Sequence, residues 1–248
     1  MLSIMEIVKK EERKWYLILF FPIVFVTTML LVKIFEIALD YNFYEWGIYP
    51  RKVKGLAGII FAPILHGDFS HLISNAVPLL LLGGGLFYYF KDLGYKIFFS
   101  IYFATGFWVW VAARPSYHIG ASGVVYGLVT FFILSAILRK NKYLLFFSFL
   151  VIFLYGSLIW GIFPIKAQIS WESHLIGGIA GLFMAWYYRK IGIQKEKYSW
   201  EINPASDDEI DFDWSGNPPP LEEESKEIPK QEYNPIKIVY HIKRENES

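Results

Sequence analysis

Long apolar blocks and short polar breaks alternate along this chain, and the blocks have the length of a membrane span. They run from Trp15 to Leu39, His71 to Phe90, Gly94 to Ala113, Ser122 to Leu138, Tyr143 to Phe163 and Trp171 to Tyr188. Each is close to the ~20 residues that a helix needs to cross a hydrocarbon core of about 30 Å. The pattern predicts six transmembrane helices and an all-α membrane protein. The first block is too long for a signal-peptide core and has no A-x-A cleavage pattern, so it reads as a retained signal anchor. Residues 40–70 do not form a clean span. Pro50 and Pro63 interrupt them, and Tyr41, Phe43, Tyr44, Trp46 and Tyr49 give them an interfacial character. An element lying in the outer headgroup zone is expected there.

Composition agrees with the pattern: 54% of the 248 residues are hydrophobic and 19% aromatic. The absence of cysteine excludes disulfides, a thiolate nucleophile and cysteine metal sites. Charge divides the chain. Residues 192–248 carry seven Lys/Arg against fourteen Asp/Glu, while residues 1–191 carry seventeen against nine. The expected organisation is a cytoplasmic segment at 1–14, a six-helix membrane domain at 15–191 and an acidic, proline-punctuated, disordered cytoplasmic tail at 192–248. Within the tail, Ile236–His241 alternates loosely, as a strand would. The basic excess belongs to the membrane part, which argues against a nucleic-acid partner. Thirteen Lys/Arg flank the helices on the N-terminal side, and five (Arg51, Lys52, Lys54, Arg114, Lys166) lie opposite. The positive-inside rule then puts both termini in the cytoplasm. A bacterial inner membrane is the expected location.

Three polar residues stand out within the apolar runs. With Lys91, Arg139 and Arg189 marking the inner boundary, Asn75 lies 16 residues back, Ser122 17 and His174 15. At about 1.5 Å per residue all three fall ~22–26 Å above that boundary, several Å below the outer surface. Polar groups at such depth are costly and tend to pair or line a wet cavity. Ser122 is a weak nucleophile until a base takes its proton, and His174 is the deep candidate base. Tyr126, one turn after Ser122, is placed to stack on the imidazole. His71 and Asn75, at i and i+4, share a face and can donate to a developing oxyanion, as can the Ser122 amide near a helix start. No third acid is evident; Glu172 is two residues from His174, a poor position for orienting its ring. Gly123 and Gly127 form one small-residue pair. His174 heads a stripe of Gly178, Gly181 and Ala185 with Gly177 beside it, so the fourth and sixth helices are expected to pack closely.

At these residues the chain resembles the rhomboid family of intramembrane serine proteases. The resemblance spans Tyr41 to Arg189. It rests on G-A-S-G at 120–123 with Tyr126, H-G-D-F-S-H-L-I-S-N at 66–75, L-G-G at 82–84 and S-H-L-I-G-G-I-A-G at 173–181. It implies a six-helix bundle whose site opens to the outer face, with Ser122 as nucleophile and His174 as general base. Asn75, His71 and the Ser122 amide would form the oxyanion hole, and Tyr126 would pack on His174. By the same resemblance Gly120 supports the loop leading to the serine, and His66 helps to shape the site. The fifth helix and residues 164–171 would be gate and cap. Substrates would be transmembrane proteins, cut near the outer face at a locally unwound segment. The usual first-loop Trp-Arg pair is altered: Gly47 follows Trp46, and the nearest arginine is Arg51. The family's small residue before the histidine is Ser173.

No cofactor is called for. A metal hydrolase built on His66, His71 and His174 fits poorly, because residues five apart sit ~140° around a helix. A non-catalytic relative that binds membrane clients would typically have lost Ser122 or His174. A six-span transporter would carry more deep charge than this chain does. His118 and His241 are assigned to a loop and to the tail, without a chemical role.

Overall fold

The computed structural model describes residues 4–91, 93–165 and 170–192, and it is helical throughout these apart from short loops. α1 (Ile4–Ala38) contains the first apolar block up to Ala38, one residue short of its expected end, and begins eleven residues before Trp15. α3 (Phe69–Phe90), α4 (Leu93–Ala112), α5 (Ser122–Arg139) and α7 (Trp171–Tyr187) match the sequence expectation to within two residues at each end. The connection after α1 is broken into short elements. It folds as 3-10 turns at Phe43–Trp46 and Val53–Gly55, a short α2 (Gly58–Phe61) and a further turn at Ala62–Ile64.

The fifth block departs from expectation. Instead of one α-helix over 143–163, α6 covers Lys142–Tyr155 and then tightens into a 3-10 segment, Gly156–Ile162. α6 alone is about 21 Å long and the 3-10 continuation adds about 14 Å. Four helices (α1 over Trp15–Ala38, α3, α4 and α5) are long and apolar enough to cross a membrane, and α6 and α7 are shorter. The described residues fall within one unit, Met1–Lys197. The tail beyond 192, with its expected disorder, its 236–241 segment and His241, lies outside the described residues. So do 166–169 of the expected cap.

α3 and α5 are central and α1 is peripheral: 61% of the apolar window is buried in α3 and in α5, against 11% in α1. Phe98, Phe131, Phe132, Leu82, Leu86 and Leu128 form the fully buried centre, while aromatic residues such as Phe103, Phe149 and Phe153 point outward. An apolar exterior is what a lipid solvent requires. α1 packs on α3 where Pro22 and Leu19 meet Gly83 and Gly84. At the C-terminal end of α5, Arg139, buried over the Phe90 ring, donates to the carbonyls of Tyr188 and Ile191 at 2.6 and 2.7 Å. It thereby ties the end of α5 to the turn that follows α7.

The loops that follow α1 and α4 are bound to one another. Ile48 and His118 exchange two backbone hydrogen bonds of 3.0 and 2.9 Å, and Gly120 N–H donates to Ala62 O at 2.8 Å. Arg51 adopts a left-handed conformation (φ 59°). Its backbone N–H reaches Trp110 O at 2.9 Å and its guanidinium Val111 O at 3.4 Å, both in the last turn of α4. A cation at a helix C-terminus opposes the negative end of the dipole. Arg51 therefore ties the first loop to α4. Trp46 packs edge-on against Phe61.

Candidate active site

Ser122 is the first residue of α5, and the loop before it brings its hydroxyl toward α7. Gly120 holds φ at +104°, and a Cβ there would lie 2.7 Å from His71 Nε2, so both backbone and space require glycine. Ser122 Oγ lies 2.8 Å from His174 Nε2. His174 Nδ1 lies 2.8 Å from the carbonyl oxygen of Gly161, in the 3-10 segment after α6. A carbonyl only accepts, so Nδ1 carries the proton and Nε2 presents its lone pair to the serine hydroxyl. The Tyr126 ring lies parallel to the imidazole, 4.2 Å between centroids with 7° between planes. His174 is thus constrained on three sides: by Ser122, by Tyr126 and by Gly161.

Close approach of α5 and α7 makes this possible. A Cβ on Gly177 would run into the carbonyl of Gly123, and one on Gly181 into the carbonyl of Gly127. On α5, a Cβ on Gly123 would come within 3.0 Å of Ser173 O, and one on Gly127 within 2.9 Å of Gly177 O. Gly178 differs, because a Cβ there would meet Thr130 at an ordinary 3.5 Å. Gly178 contributes its carbonyl instead, which accepts from Thr130 Oγ1 at 2.8 Å.

Around the dyad the remaining sequence-derived residues fall into two groups. Asn75 is buried, and its amide nitrogen donates to His71 O at 2.8 Å, which engages one of its two N–H groups. The His71 ring stands beside Gly120 and 5.0 Å from the ring of His66. His66 is buried, with Nδ1 directed at Ile64 O (3.2 Å), so Nε2 is left to accept from the Ala121 N–H at 3.5 Å. Burial pushes its pKa down to about 4, which keeps it neutral in that role. Among the described residues no three His, Asp or Glu side chains converge as metal ligands.

Several contacts were not legible from residue types. His118 is buried, its Nδ1 2.6 Å from Ser170 Oγ and its Nε2 3.1 Å from Arg114 O. It joins the loop before Ser122 to the start of α7. Glu172 pairs with Arg114 at 3.4 Å and does not orient His174. The group that does so is a backbone carbonyl, for which sequence has no signal. Lys33 and Glu36, an ion pair of 3.0 Å inside α1, did carry one: ionisable residues within an apolar span.

A model of the Rhomboid domain matches residues 53–191, more than half of the chain. The chain belongs to the rhomboid family. It is 33% identical over 153 residues to an uncharacterized protein of Mycobacterium tuberculosis (strain ATCC 25618 / H37Rv), covering 56% of this chain and 62% of the relative. A counterpart in Mycobacterium bovis matches equally, and one in Mycobacterium leprae is 27% identical over 175 residues, covering 65% and 68%. The chain thus spans about three fifths of the length of the first relatives it matches. Membership together with the apolar helices makes this rhomboid protein an integral, multi-pass membrane protein. The Ser122–His174 contact, Tyr126, His71 and Asn75 all lie within the matched rhomboid segment.

Proposed function

We propose that this rhomboid protein is an intramembrane serine endopeptidase that cleaves transmembrane substrates near the outer membrane face. The observation that carries the reading is the 2.8 Å Ser122–His174 contact with Nδ1 tied to Gly161 O, which leaves a basic nitrogen facing a serine hydroxyl. Ser122 Oγ attacks the scissile carbonyl carbon while Nε2 takes its proton. Negative charge builds on the carbonyl oxygen, facing the Ser122 N–H, an orphan donor at a helix start, and the His71 and Asn75 side chains. As the C–N bond breaks, Nε2–H protonates the leaving amine. Water then attacks the acyl-Ser122 ester with Nε2 as base, which releases the acid and restores the hydroxyl. An intact substrate helix hides its carbonyls, so the cut falls where the helix locally unwinds.

The same reading takes the membrane domain as 15–191 with six spans. α6 with its 3-10 continuation and α7 complete the four longer ones, and both termini lie in the cytoplasm, in a bacterial inner membrane. Residues 1–14 and 192–248 are then cytoplasmic segments outside the catalytic domain. The test is cleavage of a panel of single-span proteins by the reconstituted protein. Ser122→Ala and His174→Ala should each abolish cleavage while the protein stays folded, because the two groups act as a unit. Full activity in either variant would refute the mechanism.

A further inference from the structure

Lys33 and Glu36 lie in the apolar stretch of α1, outside the 53–191 segment that the rhomboid model matches. Lys33 directs its ammonium at three acceptors: Glu36 Oε2 at 3.0 Å, His66 O at 3.1 Å and Gly67 O at 2.8 Å. That uses every proton an ammonium has. Glu36, itself buried, accepts from Phe43 N–H at 2.9 Å through Oε1. One pair on α1 therefore grips the outer connection at both ends, at Phe43 and at the 66–67 turn.

That turn leads directly to the site. His66 reaches the Ala121 amide next to Ser122. Asp68, which follows the turn, caps α3 by accepting from His71 N–H at 2.7 Å, and the His71 ring stands against Gly120. Docking of α1 on α3 does not require the pair, since Pro22 and Leu19 already pack on Gly83 and Gly84. A pair serving only to neutralise itself would not send two of its three ammonium hydrogen bonds to the backbone of another element.

We propose that Lys33 and Glu36 are positioning residues. They fix the 66–67 turn and, through it, hold His66 and His71 in place against the loop leading to Ser122. The kinetic consequence rests on the protease reading; the structural one does not.

The experiment uses the full chain in liposomes with Gly67→Cys as a spin-label site. The protein has no cysteine of its own, and a Cβ at 67 meets nothing within 4 Å. In Lys33→Met the label should become more mobile, and kcat should fall about 10- to 100-fold with KM within twofold, the range that a misplaced catalytic group produces. Lys33→Arg should recover both readouts. On a His71→Ala background, Lys33→Met should cost little more, because both act through the same donor. Glu36→Gln, which keeps the bond to Phe43 and removes the countercharge, should shift the label in the same direction if Lys33→Met does not fold. An unchanged spectrum would overturn the latch. A mobile label with unchanged kcat, or losses that simply add to those of His71→Ala, would overturn its role in positioning. Absence of cleavage by the unaltered protein would instead refute the protease reading, and the label would still decide the latch.

Discussion

The two elements that hold His174 are built in opposite ways. On one side is the α5–α7 seam, where glycines at 123, 127, 177 and 181 bring backbones into direct contact and Thr130 bonds across it. On the other is the α6 arm, where Leu144, Ser148 and Val151 are buried and Phe146, Phe149 and Phe153 are exposed. The seam sets the distance between Ser122 and His174; the arm contributes a single carbonyl that fixes the imidazole tautomer. The seam is a close-packed backbone contact that cannot adjust without losing contacts, whereas the tie from the arm is a single hydrogen bond. Helix packing and the imidazole tautomer are therefore held by different elements, and their loss should be separable by mutation.

The largest effect is expected from Gly177→Val in the seam. Its side chain would collide with the carbonyl of Gly123, so the expected outcome is loss of both activity and the folded state, read by thermal unfolding in detergent. Retained folding would show that the seam yields. Gly161→Ala tests the arm. A Cβ there would crowd Tyr126 Oη and lie 2.9 Å from His174 Nδ1. We expect kcat to fall about 10- to 100-fold with the unfolding temperature nearly unchanged; equal loss of stability would erase the distinction between the regions.

A pH experiment sharpens the static side. His66, with a pKa near 4 in the folded state and an ordinary value of 6.5 when unfolded, binds its proton more readily in the unfolded chain. Its contribution is therefore complete above about pH 6.5 and declines as pH falls toward 4. Unfolding followed between pH 7 and 4 should show that decline, and His66→Gln should flatten it. Thr130→Val, which removes the bond to Gly178 O, should cost about 0.5–1.5 kcal/mol by the same unfolding assay. Phe153→Ala on the outer face of α6 should change stability by less than about 0.5 kcal/mol.

Much of this molecule was legible in its residues, and the failures have physical causes. Side-chain periodicity and small-residue stripes located α3, α4, α5 and α7 and the face on which Ser122 and His174 meet. Composition cannot separate an α-helix from a 3-10 helix, so the tightening at Gly156–Ile162 inside an unbroken apolar block was missed. Gly161 acts through its backbone, which every residue possesses, so its identity gave no hint of the hydrogen bond. Gly178 sits on the right stripe yet needs no glycine, since periodicity assigns a face but not a clearance. Lys33 and Glu36 were available to be read, and the long apolar run around them obscured the pair.

The most direct test of the central claim is labelling of the purified protein by a fluorophosphonate probe, with the modified residue located by mass spectrometry. One adduct is expected, on Ser122, absent from His174→Ala and greatly slowed in Gly161→Ala. A folded protein that shows no adduct at Ser122, or labels as fast without His174, would contradict it.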